Sequence, residues 1–403
     1  MERNDKQMNE KGNIYIPRIW LVIGIIFIIL IVIGITAISI KLFKTNEKQK
    51  NELENLDGII QNEVGYQEQV DYAKLDEGIA LEELPKVEKN IIAEQNSTID
   101  GRIPCFYNPV IPEGFKAIGN EEDKTIDEKA KWGEQNAYLY GLVIEDENGN
   151  QFVWVPVENM EIFKRTDWQK NAPKETIDEN YIEPIESEEE NYYKMYYKVK
   201  KYGGFYIGRY ETGDITSTEE RTTVKNSDSI GIKKYLNVYN YVPFEISTIN
   251  KREITGAEEL AINFAKQNGY RTVKTSVVYG VQWDAMLRFI VSDVNNVNNS
   301  TRWGNYSSSE LNYTDEKGNK YVKETGEVRL LKTGASEETK AKNIYDIAGN
   351  TYEWTKETTR NRVRIVRGGS YAISIGQLAA SRYAYNSSTA NNAIGFRISF
   401  YID

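Results

Sequence analysis

The chain has no histidine and one cysteine among 403 residues. Without imidazole there is no His general acid–base chemistry, no Ser-His-Asp or Cys-His nucleophile and no His-ligated metal. A lone thiol excludes an internal disulfide framework and any CxxC zinc or redox pair. No internal repeat of fixed period is visible. A basic surplus is missing too: 50 Lys+Arg stand against 60 Asp+Glu, a formal charge of −10. Nucleic-acid binders usually carry a basic face, so no nucleic-acid partner is expected.

What is abundant is tyrosine, with 28 Tyr against 12 Phe and 7 Trp. Tyrosine packs its ring while keeping a polar tip wet, which suits a half-exposed contact surface. Hydrophobic residues make up 40% of the chain and charged residues 27%, enough to build a core in one or two domains.

Residues 19–40 read IWLVIGIIFIILIVIGITAISI, 22 residues without a charge. Roughly 20 apolar residues are needed to cross the hydrocarbon core, so this is a single transmembrane helix by length. A cleaved signal peptide has an apolar region of only about 7–15 residues. Flanking basic residues are balanced, with Arg3, Lys6, Lys11 and Arg18 before and Lys41, Lys44, Lys48 and Lys50 after. A short tail before one helix and a large remainder after it places the N-terminus inside and the C-terminal domain outside the cell membrane. The division expected is a tail at 1–18, the span at 19–40, an acidic stalk at 41–100 and a domain at 101–403.

The acidity belongs to the stalk. Lys44 to Asp100 holds 6 Lys+Arg and 14 Asp+Glu, whereas residues 101–403 carry a net charge of only −4. Past Gly101 short apolar runs alternate with Gly, Asn and Asp. Residues 139–144 and 151–155 around Asn148-Gly149 predict a β-hairpin. Residues 165–200 are acidic and Tyr-rich and read as a surface loop. Gly204 to Arg209 reads as a strand; no Gly-Lys-Ser/Thr follows its glycines, so a phosphate loop is disfavoured. Thr255 and Glu258 form a capping-box pair opening a helix that stops at Asn268-Gly269. A second helix runs from about Val278 to Ile290, with Trp283, Leu287 and Ile290 on one face. Residues 292–342 read as long loops. The sum is an α+β domain. Asn-x-Ser/Thr sequons, among them those at Asn96, Asn299, Asn305, Asn312 and Asn386, are expected by chance in so Asn- and Ser-rich a chain.

The last third carries motifs in a fixed order. Tyr345-Asp346-Ile347-Ala348-Gly349-Asn350-Thr351-Tyr352-Glu353-Trp354 precedes Arg367-Gly368-Gly369-Ser370, and Gly395-Phe396-Arg397 closes the set. Together they resemble the formylglycine-generating enzyme, or sulfatase-modifying factor, family, strongest over the motif core 343–400. Val153-Trp154-Val155-Pro156-Val157 and Phe205-Tyr206-Ile207-Gly208-Arg209-Tyr210-Glu211 look like that family's opening strands. The resemblance covers roughly residues 105–403 and implies a C-type-lectin-like α+β domain with long loops.

The family's catalytic residues do not carry over. The enzymes use two cysteines shortly after the Arg-Gly-Gly-Ser segment to bind copper, and residues 372–380 here contain no thiol. Soft Cu(I) needs thiolates. Related iron-dependent enzymes with this fold use His ligands, which are absent. No copper, iron or zinc site is therefore expected. A structural calcium is what the resemblance does imply, at Asp346, Gly349, Thr351 and Glu353, where carboxylates and carbonyls suit a hard cation. The other reading of these residues is a capping Glu353 and a solvated Asp346. Arg367 and Arg397 are expected to pair with Glu353 or another buried carboxylate, and Trp354 and Phe396 to fill the core.

A candidate ligand face remains: Tyr371, Arg382, Tyr383, Tyr385, Asn386, Asn391 and Asn392. Its Tyr/Asn/Ser composition is that of paratopes. It also resembles the variable C-terminal stretch of phage and bacterial receptors of this fold. The expected function is a membrane-anchored, extracytoplasmic, non-catalytic binding or display module for an extracellular protein or glycan. An enzyme, of the formylglycine-generating type or with carboxylate chemistry, and a structural cell-envelope or phage-related receptor protein are the alternatives.

Overall fold

The computed structural model describes residues 105–403, apart from 169–180, 227–228, 295–296, 298 and 375–377. The expected tail, membrane span and stalk lie outside the described residues. Among the described residues no helix is long and apolar enough to cross a membrane.

In chain order the first elements are β1 (Phe115–Ile118), β2 (Val143–Asp146), β3 (Gln151–Pro156), β4 (Tyr181–Ile182), α1 (Glu189–Tyr202) and β5 (Gly204–Gly208). Short strands β6 (Gly213–Asp214), β7 (Ile230–Gly231), β8 (Asn237–Val238), β9 (Ser247–Ile249) and β10 (Arg252–Ile254) lead to α2 (Ala257–Gln267). Then come β11 (Val273–Val277), α3 (Gly280–Val294), β12 (Leu311–Thr314) and β13 (Lys320–Lys323). The C-terminal part adds β14 (Tyr352–Thr359), β15 (Arg364–Arg367), β16 (Tyr383–Tyr385), β17 (Ile394–Phe396) and β18 (Ile398–Ile402). This is the mixed α+β architecture expected.

The main sheet runs β1-β2-β3-β5-β18-β11, and a second runs β16-β15-β14-β17 with β4 beside β14. Strand β3 shows why the main sheet is two-sided. Its Phe152, Val153, Trp154 and Val155 are all buried, so alternate side chains must enter different layers. Val153 and Val155 join Trp283, Met286, Leu287 and Ile290 of α3 in one core. Phe152 and Trp154 join Phe400 and the α2 residues Leu260, Ala261 and Phe264 in the other. Trp354 and Phe396 are fully buried in this second core, as expected.

The β2–β3 hairpin forms as predicted. The Asp146 carboxylate accepts from Asn150 N at 2.7 Å and Asn150 Nδ2 at 2.8 Å, fixing the turn. Two other expectations are corrected. The acidic, Tyr-rich stretch 165–200 is not a surface loop throughout, because Glu189–Tyr202 is helix α1. Met195, Val199 and Tyr202 recur at helical spacing on its buried face. A polar composition masked that period.

The second correction is the Thr255/Glu258 capping box, which does not form. The cap is Gly256, without a side-chain hydrogen bond. Backbone carbonyls serve instead, with Ala257 N donating to Pro243 O at 2.8 Å and Glu258 N to Phe244 O at 3.0 Å. Approach is so close that a Cβ on Gly256 would lie 2.5 Å from Phe244 O. Glu258 is drawn away to the Lys356 ammonium. Residues 292–342 are loop-rich as expected, yet they also carry the hairpin β12–β13.

Candidate functional site

Strand β14 carries Glu353 into the interior, where β17 pairs beside it in parallel and Glu353 faces Gly395. Two residues on, Arg397 reaches back. Its Nε and Nη2 donate to Glu353 at 2.6–3.1 Å, Nη1 donates to Gly208 O and Nη2 also to Tyr345 O, both at 2.9 Å. Asp346 accepts from Gly334 N and Thr339 Oγ1, each at 2.7 Å. It is buried, not solvated. Glu211, which the sequence places in a family-like strand segment without a site role, accepts from Thr351 N at 3.0 Å, Thr351 Oγ1 at 2.6 Å and Asn350 Nδ2 at 2.5 Å.

Three buried carboxylates thus gather around one guanidinium. Burial first, and then Asp346 and Glu353, push the Glu211 carboxyl well above its usual range. Burial also raises Asp346 and Glu353, against the pull of Arg397. Three donors on Glu211 favour the ionised form while its surroundings oppose it. Oxygen donors and surplus negative charge match the chemistry of a hard cation such as calcium. Placement is less favourable, since Glu353 already holds Arg397 bidentately. Among the described residues no group of three or more His, Cys, Asp or Glu is set to hold a metal ion.

A second buried network joins β15 and α3. Arg367 Nη2 donates to Asp284 Oδ1 at 2.7 Å, so this arginine pairs inside as expected. Arg382, expected on the ligand face, is turned inward. Its Nη2 donates to Asp284 Oδ2 at 2.5 Å and its Nε to both oxygens of Glu357 at 2.9 Å. Burial opposes ionisation of Asp284, but Arg367 and Arg382 outweigh it and hold the carboxyl below its usual range. Sequence reading missed Asp284 and Glu357. The available signal was an acid inside the otherwise uncharged buried face of α3, between Trp283 and Met286.

The other ligand-face residues divide. Tyr383 is exposed, Tyr385 half-buried, and their rings lie 5.0 Å apart because residues i and i+2 of β16 share a face. Both rings meet Tyr352, at 6.2 and 6.1 Å. Tyr371 is buried, and its hydroxyl accepts from Asn392 Nδ2 at 2.9 Å. Asn386 and Asn391 serve local turns, accepting from Ser388 N at 3.1 Å and Ala393 N at 2.9 Å.

Beyond these lies a cleft of about 380 Å³ that sequence reasoning did not anticipate. Glu220, Arg221, Tyr313, Asp315, Tyr321 and Arg329 are among the residues lining it. None of the expected face residues lines it, although the charge of its Glu220, after burial and Tyr241, raises the Tyr371 hydroxyl pKa. Its walls come from segments a hundred residues apart, so no local pattern announces it.

Comparison with known families finds a match over the part of the chain that carries these motifs. Residues 288–400 match the sulfatase-modifying factor enzyme 1-like domain. A search of curated proteins finds no match. Among solved structures, PvdO from Pseudomonas aeruginosa is similar at 12% identity and a TM-score of 0.32, over 64% of this chain and 98% of that one. The crystal structure of CarF is similar at 13% identity and a TM-score of 0.28, covering 50% and 87%. Treponema denticola variable protein 1 is similar at 11% identity and a TM-score of 0.24, covering 49% and 95%.

Within this sulfatase-modifying factor-like domain, the segment after Arg-Gly-Gly-Ser is laced to the backbone. Tyr371 N donates to Asn350 O at 2.9 Å, and Ser307 N donates to Ile373 O at 3.0 Å. The lone thiol, Cys105, is half-buried at the other end of the domain sequence.

Proposed function

We propose that the chain is a membrane-anchored, extracytoplasmic, non-catalytic binding or display module built on a sulfatase-modifying factor-like scaffold. The observation that carries this reading is a matched domain without the chemistry of its enzymes: one cysteine, no histidine and no thiol at 372–380. Among the described residues with raised carboxyl pKa, Glu211, Asp346 and Glu353 are fully buried, which disfavours carboxylate catalysis by them on an outside substrate, and the half-buried Glu183 is taken up by the backbone N–H groups of Gly280 and Val281. A ligand would meet the Tyr383–Tyr385 face or the cleft lined by Tyr321 and Glu220.

The deciding experiment is an oxygen- and copper-dependent assay of the full-length chain on a sulfatase-type Cys peptide. No formylglycine is expected, and its formation would overturn the non-catalytic reading. Anchoring has its own check. With residues 19–40 spanning the membrane and the domain outside, a membrane-impermeant thiol reagent should label Cys105 in intact cells. Labelling only after lysis under native conditions would place the domain inside.

Calcium belongs to the same proposal. Asp346 and Glu353 with the carbonyls of Gly349 and Thr351 would hold it, and its charge would offset the acidic surplus beside Glu211. Its role would be structural.

A further inference from the structure

We propose that the cleft between residues 218–221, strand β8, the β12–β13 hairpin and residues 329–335 is a saccharide-binding site. This rests on the binding-module reading and names the ligand class. About 380 Å³ is the scale of a pocket for one or two sugar rings. One wall offers an aromatic platform: Tyr313 and Tyr321 stack at 5.2 Å between centroids with 22° between planes. Tyr321 is 42% exposed, so a ring face stays open to a ligand. The Tyr321 hydroxyl donates to Asp315 Oδ2 at 3.2 Å, which holds that ring in place.

Charge pairing selects among ligands. Arg221 is neutralised by Asp214 at 2.8 Å and lies over Tyr239, forming wall and not an open cation. Arg329 pairs with Glu327, and Lys332 pairs with Glu316 at 3.1 Å. With its cations paired, the cleft gives a phosphate or carboxylate ligand little purchase. Asp315 is ionised, because hydrogen bonds led by the Asn319 amide hold its carboxyl below the usual range. Glu220 adds an exposed carboxylate, and Thr218, Thr314 and Asn237 add neutral polar groups. Asp315 is filled by donors from Lys317, Asn319 and Tyr321, so it fixes the platform, while the Glu220 carboxylate accepts from hydroxyl donors and an aromatic face covers the C–H face of a pyranose ring. That combination suits a polyhydroxylated ligand.

The test uses the full-length chain in mild detergent and saturation-transfer NMR. The probes are chitotriose and maltotriose, with trilysine and inorganic phosphate as competitors of other chemistry. A trisaccharide is expected to receive saturation, and trilysine and phosphate are not. Tyr321→Ala should weaken sugar binding about tenfold through loss of stacking. Glu220→Gln should weaken it by a similar factor, and Ile262→Ala on α2 should leave it unchanged. Melting curves of each variant exclude a folding defect. The proposal is overturned if neither sugar binds, if trilysine or phosphate takes the site, or if a folded Tyr321→Ala binds normally. Sugar binding lost in Tyr383→Ala but kept in Tyr321→Ala would also overturn it. These failures leave the copper assay untouched, so the cleft and the non-catalytic reading can fail separately.

Discussion

Arg397 holds Glu353 in a bidentate pair at 2.6–3.1 Å, with both side chains fully excluded from solvent. Breaking one partner leaves the other charged and buried. Arg397→Met or Glu353→Gln should each cost about 3–5 kcal/mol in urea unfolding. The double variant Glu353→Leu with Arg397→Met should recover part of that loss. Single variants with wild-type midpoints would show that the pair does not anchor β17 to β14.

Glu183 gives a pH signature. Its carboxylate accepts from Gly280 N at 2.6 Å and Val281 N at 2.9 Å, at the start of α3. Burial, then Glu357, pushes it up from the ordinary 4.5 to about 7. The folded state therefore holds a proton that the unfolded chain releases. Its contribution is complete below about pH 4.5 and is lost as pH rises through about 7, at about 1.4 kcal/mol per unit. Glu183→Gln should flatten that slope in melting curves. An unchanged profile would argue that Glu183 stays ionised when folded.

Asp123 acts in the opposite sense. Burial works against its charge, but Arg209 at 2.6 Å and the Thr125 donors lower it to about 2. Its contribution is present above the ordinary 3.8 and is lost as pH falls through about 2. Asp123→Asn should destabilise the protein at pH 7 and have little effect at pH 2. Equal destabilisation at both would assign the loss to packing.

Calcium is checked by chelation. EDTA should lower the melting temperature of the purified chain, and calcium in excess should restore it. A melt indifferent to both would leave a proton on Glu211 as the compensating charge.

Gly349 tests the turn that carries these groups. It sits at φ +73°, and a Cβ there would lie 2.2 Å from Asn305 O. Gly349→Ala should cost about 1–3 kcal/mol from backbone strain alone, with the clash added. A wild-type melt would show that the turn can relax.

Much of the framework was legible in sequence. The β2–β3 hairpin, the Trp283 face of α3 and the pairing of Arg367 and Arg397 followed from alternation, helical period and the cost of an unpaired buried charge. Helix α1 was hidden because its buried Met195 and Val199 lie among glutamates, lysines and tyrosines. The α2 cap was misread because local side-chain chemistry lost to the backbone of residues 243–244. Arg382 looked like a surface residue because its partners, Asp284 and Glu357, are distant in sequence.

Composition by itself removed imidazole and dithiolate chemistry, since side chains that are absent cannot be supplied by folding. Motif order by itself marked the domain. Only the tertiary structure decided which acids share Arg397, that Tyr371 and Arg382 face inward, and that Tyr313 and Tyr321 border a cleft with Glu220. Those relations depend on loop segments brought together by a common core, and distance along the chain carries no record of them.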